Sequence, residues 1–141
     1  MCLDRFREPT EEERNKTYIG YKIVKKIKDN TYKSEYHDST YTIGEETVSN
    51  RLDIKLTEEE IDSKEINLGI HLYINKEVEK YPFKEEDEET LIKVEYKGED
   101  IVGYGKNSYP YPCMCQYLYP YLYLYSDGVV VLKVKVLGEV K

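Results

Sequence analysis

The sequence predicts a single α+β domain: a mainly antiparallel, twisted β-sheet with two or three short helices and a C-terminal β-hairpin. Apolar and polar residues alternate at period two in several short segments, which places the apolar side chains on one face of a strand. Turn-forming clusters such as Ser126-Asp127-Gly128 separate these segments at short intervals. The 141 residues show no internal repeat and fit one domain.

The first sixteen residues are polar, and we place the domain at residues 17–141. In the N-terminal segment, Thr10 is a predicted helix N-cap because three glutamates follow it. Thr57 begins the same pattern, which predicts a short helix or turn near 57–65, and a third short helix is predicted at 76–81. Strands are predicted at residues 18–27, 32–36, 41–44, 48–56, 68–74, 91–96, 101–104 and 129–136.

Tyrosines dominate residues 109–125, where they occupy seven of seventeen positions. Five of them alternate strictly from Tyr117 to Tyr125, so a strand there carries a ladder of phenols on one face. With the predicted turn at 126–128 and the strand at 129–136, this ladder forms the C-terminal hairpin. The ladder either packs on the fold or on a second copy, or forms a binding surface. The predicted interaction surface comprises Tyr109, Tyr111, Tyr117, Tyr119, Tyr121 and Tyr123.

Composition and charge argue against one class of partner. The net charge is −7, so the chain lacks the basic surface with which proteins neutralise the phosphates of duplex nucleic acid.

There is no tryptophan and there are only two phenylalanines, whereas tyrosine occurs sixteen times. Tyrosine must therefore supply most of the aromatic packing, and its buried hydroxyls need hydrogen-bond partners.

The cysteines predict a reducing compartment. Cys2, Cys113 and Cys115 are odd in number, and the last two are too close in sequence to bridge comfortably. This is not the pattern of a secreted disulfide framework. The sequence also shows no signal peptide or membrane-spanning run. We therefore expect a cytoplasmic protein without a membrane partner.

A small-molecule site is predicted on the strand at 68–74. If Ile70 and Leu72 face the core, His71 and Tyr73 share the opposite face. This pair either contacts a planar ligand or is half exposed on a sheet surface. Cations for an anionic nucleotide are available on predicted strands, namely Arg51, Lys22, Lys25 and Lys133. The predicted ligand-binding residues are Tyr21, Arg51, His71 and Tyr73.

The sequence contains no recognisable catalytic or metal-binding motif. Neither histidine belongs to a nucleophile signature, and the glycines match no phosphate-binding fingerprint. Cys113-Met114-Cys115 lacks the second pair of ligands that a tetrahedral zinc site needs. We therefore predict no catalytic residue, no cofactor and no metal.

Three short patterns occur together in the chain: Met1-Cys2 with Glu8-Pro9-Thr10, Gly20-Tyr21-Lys22, and Gly69-Ile70-His71-Leu72-Tyr73 followed by a short helix. Together they resemble small uncharacterised proteins of bacteriophages and other mobile elements. The resemblance implies the cytoplasm of an infected bacterium and no particular activity.

The segment Gly69-Ile70-His71-Leu72-Tyr73 also resembles the strand that lines the nicotinamide pocket of the ADP-ribosyltransferase fold. That family places a His or Arg on an early strand. The early strand Gly20-Tyr21-Lys22-Ile23-Val24 has neither, so this resemblance implies a related fold and at most a degenerate pocket.

The resemblance to mobile-element proteins implies a phage-type accessory protein that counteracts host defence or physiology, and we expect it to act by binding and not as an enzyme. It sequesters a nucleotide-derived small molecule, or it occludes a host protein through its tyrosine-rich surface. An enzyme with a degenerate ADP-ribosyltransferase-like pocket is the alternative from another class. We expect the protein to form a homo-oligomer.

Overall fold

The structure is a computed structural model that describes residues 2–34, 39–66, 68–74, 89–108 and 126–140. The predicted tyrosine surface at 109–125, with Cys113 and Cys115, lies outside the described residues, as does the predicted helix at 76–81.

The described residues form a mainly antiparallel sheet with two short helices, which confirms the broad α+β class. The helices are α1 (Glu11–Arg14) and α2 (Glu58–Ser63), and a 3₁₀ turn spans Gly98–Asp100. The strands are β1 (Cys2–Arg7), β2 (Thr17–Lys28), β3 (Thr31–Ser34), β4 (Thr40–Thr42), β5 (Glu46–Val48), β6 (Glu65–Ile66), β7 (Ile70–Tyr73), β8 (Glu89–Lys97), β9 (Ile101–Ser108), β10 (Ser126–Val131) and β11 (Lys133–Glu139).

One path through the sheet runs β5-β11-β8-β2-β7-β10-β9-β1-β6, and every pairing is antiparallel. The longest strand, β2, pairs with β8 along one edge. Its other edge is divided: Tyr21 lies opposite Tyr73 of β7, and pairing with β3 starts at Val24. Strand β2 is therefore a fork in the sheet, and the fork opens at Lys22 and Ile23.

Both faces of the sheet are buried around β10. Val129 and Val131 join the main core, together with Leu72 of the neighbouring strand. Val130 points to the opposite face, where it packs with Ile66 and Val102 in a second cluster. The run of three valines is the pattern expected of a strand covered on both sides.

Tyrosine supplies much of the aromatic packing, as its abundance predicted. Tyr32 and Tyr41 are almost fully buried in the main core. The Tyr32 hydroxyl donates a hydrogen bond to the Glu139 carboxylate, which lies at the end of β11. Tyr18 stacks on Tyr96 with ring centroids 5.5 Å apart. These phenols therefore join strands that are far apart in the sequence as well as filling space.

The N-terminal segment is part of the sheet, although no strand was predicted there. Strand β1 pairs with β9 and with β6, and Pro9 is buried. Helix α1 then packs on the 3₁₀ turn, where the backbone N–H of Gly98 donates to the Lys16 carbonyl at 2.7 Å. Backbone pairing needs no apolar alternation, and Cys2–Arg7 shows none, so the sequence pattern did not reveal this strand.

Two predictions about the C-terminal region are wrong. Residues 126–128 are not a turn but the start of β10, and the strand predicted at 129–136 breaks at Leu132. In the sheet, Gly128 lies between Tyr73 of β7 and Gly105 of β9. This glycine therefore occupies a position inside the sheet, and the turn-like composition was misleading.

The predicted strand at 48–56 is also wrong. Strand β5 ends at Val48, and residues 49–57 form an irregular loop that leads to α2. The alternating apolar residues of that stretch do not face one core, because Leu52 is almost completely exposed.

We predict that Gly98→Ala lowers the free energy of unfolding by about 2 kcal/mol or more, because overpacking against a fixed backbone is costly. A Cβ atom at this position would lie 2.1 Å from the Glu13 carbonyl oxygen and 2.7 Å from the Arg14 backbone. Urea denaturation followed by circular dichroism measures the change.

The matched control is Gly44→Ala, where φ is +86° and no atom lies within 4 Å of the added Cβ. This variant bears only the strain of a left-handed backbone, about 1 kcal/mol. Equal losses in the two variants would contradict the close docking of α1 on the turn.

Candidate functional site

The structure brings three of the predicted ligand residues together on one face of the sheet. Tyr21 lies opposite Tyr73, and His71 precedes Tyr73 by two residues on the same face of β7. Tyr21 is half buried, whereas His71 and Tyr73 are 2% and 4% exposed. The expectation of a half-exposed pair is therefore wrong. The second apolar cluster covers the side of β7 that was predicted to face outward: His71 pairs with Val130, a member of that cluster.

The His71 side chain holds the connection between β6 and β7. Its Nε2 lies 3.0 Å from the Ile66 carbonyl oxygen, and its Nδ1 lies 3.2 Å from that of Gly69. Both oxygens can only accept, and a neutral imidazole carries one N–H, so the ring donates to one of them at a time. Burial outweighs these contacts and lowers the pKa of His71 to about 4.

Lys22, predicted as a cation for the ligand, lies in the main core at the fork of β2. Its Nζ donates to the His71 carbonyl at 2.9 Å and lies 5.9 Å from the centre of the Tyr41 ring. The amine thus satisfies a β7 carbonyl where the ladder between β2 and β7 has ended. Burial lowers the pKa of Lys22 to about 8.

Arg51 is buried, and all five of its guanidinium N–H donors are engaged. Two of them bind the Glu60 carboxylate, with Nη1 to Oε2 at 2.7 Å and Nη2 to Oε1 at 2.8 Å. The other three donate to the backbone carbonyls of Asp53, Lys55 and Leu68 at 2.7, 2.9 and 3.2 Å. An anionic ligand would have to displace one of these bonds. Arg51 thus joins the 49–57 loop, α2 and the β6–β7 connection.

A helix capping box whose last glutamate also pairs with an arginine occurs twice in the described part of the chain. Helix α2 begins with a capping box in which Thr57 and Glu60 bond each other's backbone N–H, and Glu60 also pairs with an arginine. Helix α1 has an identical Thr-Glu-Glu-Glu box, and its last glutamate, Glu13, forms two bonds with Arg7 at 2.8 and 3.0 Å. The Arg7 pair is solvent exposed, whereas the Arg51 pair is buried.

A groove of about 490 Å³ lies over the buried Arg51–Glu60 pair. We call it the Arg51 groove; the 50–57 loop, α2 and the start of the β6–β7 connection line it. Leu52 and Leu68 line it with 96% and 59% of their surface exposed. Both leucines lie on predicted strands, at 48–56 and 68–74, and neither was predicted to belong to a site. The repeated Thr-Glu-Glu-Glu box was the available signal, because it identified α2 and the carboxylate that holds Arg51.

A much smaller cleft of about 50 Å³ lies near Asp100, between β8 and β11. It is lined by Lys133, one of the predicted cations, and by Lys97. One oxygen of the Asp100 carboxylate is buried without a hydrogen bond, and burial raises the pKa of this group. The cleft accommodates little more than water.

The described residues contain no cluster of three or more His, Cys, Asp or Glu side chains placed to hold a metal ion. Helices α1 and α2, with four and six residues, are both too short to cross a membrane.

We predict that Arg51→Lys lowers the free energy of unfolding by about 3 kcal/mol, because it leaves buried acceptors without donors while keeping the charge. Arg7→Lys is the matched control, and we expect a loss below about 1 kcal/mol for this exposed pair. Chemical denaturation measures the free energy of unfolding of both variants. Similar losses in the two variants would show that Arg51 does not hold the loop.

We predict that stability falls by about 2 kcal/mol between pH 7 and pH 5 through His71. The unfolded histidine, with its ordinary pKa of 6.5, takes up a proton in this range, whereas the folded one, with a pKa of about 4, stays neutral. The stabilisation is complete above the unfolded pKa and is lost as the pH falls towards the folded one. His71→Gln abolishes this slope in urea denaturation at the two pH values; an unchanged slope would assign it to other groups.

Comparison with protein-family models, with curated proteins and with solved structures finds no match.

Proposed function

We propose that this protein acts by binding, without catalysis, and that the Arg51 groove contacts a host protein. The setting is the one that the mobile-element resemblance implies, an infected bacterial cytoplasm where the protein counteracts host defence or physiology. The network of hydrogen bonds around Arg51 explains why this surface is fixed, because it joins the walls of the groove to one another.

The observation that carries this proposal is the exposure of Leu52 and Leu68 at one concave surface. Burial of a fully exposed leucine side chain stabilises a complex by about 1.5–3 kcal/mol. A partner that covers both leucines therefore gains binding free energy from them. Because the frame beneath them is already ordered, little conformational entropy is lost on binding.

The interior position of the predicted ligand residues favours binding over catalysis. The His71 ring lies against two backbone carbonyls, and Lys22 donates to a third. Both groups stabilise the fold at β7, and a general base or nucleophile would need access to substrate. An ADP-ribosyltransferase-like pocket on this strand would require β7 to be uncovered.

Sequestration of a nucleotide-derived molecule is the second candidate. The observation in its favour is that Tyr21 lies beside Tyr73 on the face of His71. Of these three residues only Tyr21 is partly exposed, so a planar ligand would stack on Tyr21. Native mass spectrometry of protein purified from bacteria tests it. A nucleotide-sized mass that is released unchanged on denaturation supports sequestration, whereas a released product indicates an enzyme. Bare protein argues against both.

We predict that Leu52→Ser leaves the free energy of unfolding within about 0.5 kcal/mol of the wild type, because this side chain is 96% exposed. A photo-crosslinking amino acid at position 52 captures the partner in bacterial cells. Leu52→Ser then weakens binding of the purified partner by about tenfold or more.

Ile27, which is 55% exposed on β2 and does not line the groove, provides the control. We expect no adduct at position 27 and unchanged affinity for Ile27→Ser. Equal crosslinking at positions 27 and 52, or unchanged affinity of Leu52→Ser, would argue against the groove.

A further inference from the structure

We infer that the Arg51 groove takes a basic, apolar segment of its partner, one that places a lysine or arginine beside an aliphatic or aromatic side chain. This inference rests on the proposed function and names the chemistry of its partner. Charge, exposed apolar surface and the size of the groove each support it.

The charge of the groove is negative. Arg51 and Glu60 neutralise each other beneath its surface. The charged groups left at the surface are three carboxylates and one amine, namely Asp53, Glu59, Glu65 and Lys55, all of them exposed. The groove therefore attracts a cationic side chain and repels an anionic one.

Anions meet a second obstacle in the groove. The Arg51 guanidinium is the cation at its base, and each of its donors already binds an oxygen of the chain. Among the described residues that line the groove, only the exposed Lys55 remains to balance a phosphate. A nucleotide therefore fits this groove poorly, and any nucleotide site must lie elsewhere.

Apolar contact supplies the other half of the recognition. Leu52 and Leu68 line the groove together with the carboxylates, so one ligand can touch both kinds of group. A volume of about 490 Å³ is that of a pocket for a few side chains. A short segment that alternates or adjoins cationic and apolar residues matches this combination. A second copy of this acidic chain, with its net charge of −7, matches it less well.

The test uses fluorescently labelled peptides of equal length and measures binding by anisotropy. One peptide combines lysine with leucine, the second lysine with serine, and the third glutamate with leucine. We expect the lysine–leucine peptide to bind and the other two to bind about tenfold more weakly or worse. Added salt weakens the lysine–leucine complex because exposed charges are screened.

Variants of the protein locate the binding site. Glu59→Lys combined with Glu65→Lys removes the attraction, and Leu52→Ser removes apolar contact; we expect each to weaken the lysine–leucine complex about tenfold. Glu12→Lys is the matched control, because Glu12 holds the same position in the capping box of α1 as Glu59 does in that of α2. We expect this control to bind as the wild type does.

The outcomes separate the inference from the proposed function. If the glutamate–leucine and lysine–leucine peptides bind equally and Leu52→Ser weakens both, the groove is a binding site and the preference for a basic partner is overturned. The inference also fails if no peptide binds, or if Glu12→Lys weakens binding as much as the double variant. If Leu52→Ser instead dissociates an oligomer in sedimentation experiments, the occupant is a second copy. The proposed function fails separately, when crosslinking finds no partner specific to position 52.

Discussion

The buried guanidinium of Arg51 is the interaction on which the candidate site depends. It joins a loop without regular structure, a six-residue helix and the connection between β6 and β7. None of these pieces has a large apolar core of its own, so hydrogen bonds to one side chain define their arrangement. A buried charge of this kind is tolerated because its partner carboxylate and its three carbonyls satisfy every donor. The exposed Leu52 and Leu68 therefore belong to a loop and a connection whose backbone is already ordered by these hydrogen bonds.

The connection between β6 and β7, which Arg51 contacts, is also held by side chains in the interior of the sheet. His71 contacts two carbonyls at the ends of the 66–69 segment, and Arg51 contacts a third, that of Leu68. Lys22 holds the β7 backbone on its other side, where β2 turns away to pair with β3. Three polar side chains that resemble ligand-binding groups in the sequence thus act on backbone carbonyls. Because they are buried, we propose that a partner binds at the surface groove beside β7 instead.

The sequence predicted the broad fold class, several of the strands and both described helices, but it did not predict the site. Period-two alternation located β2 and β8, and the Thr-Glu-Glu-Glu boxes located α1 and α2, because these signals are local. Strand β1 was missed because its six residues show no alternation of apolar and polar side chains. His71 was placed on an open face because nothing local shows that Val130, far along the chain, lies opposite it. The groove likewise depends on contacts between Arg51 and residues up to Leu68, which no short window contains.

Backbone NMR during a titration with the lysine–leucine peptide locates the binding site without altering the protein. We expect the largest changes in amide chemical shift within residues 50–68, on the loop, α2 and the β6–β7 connection. Amides of the β2–β8 pair should change little. Shift changes concentrated on β2 and β8, or spread evenly over the acidic surface, would contradict a binding site built on Arg51.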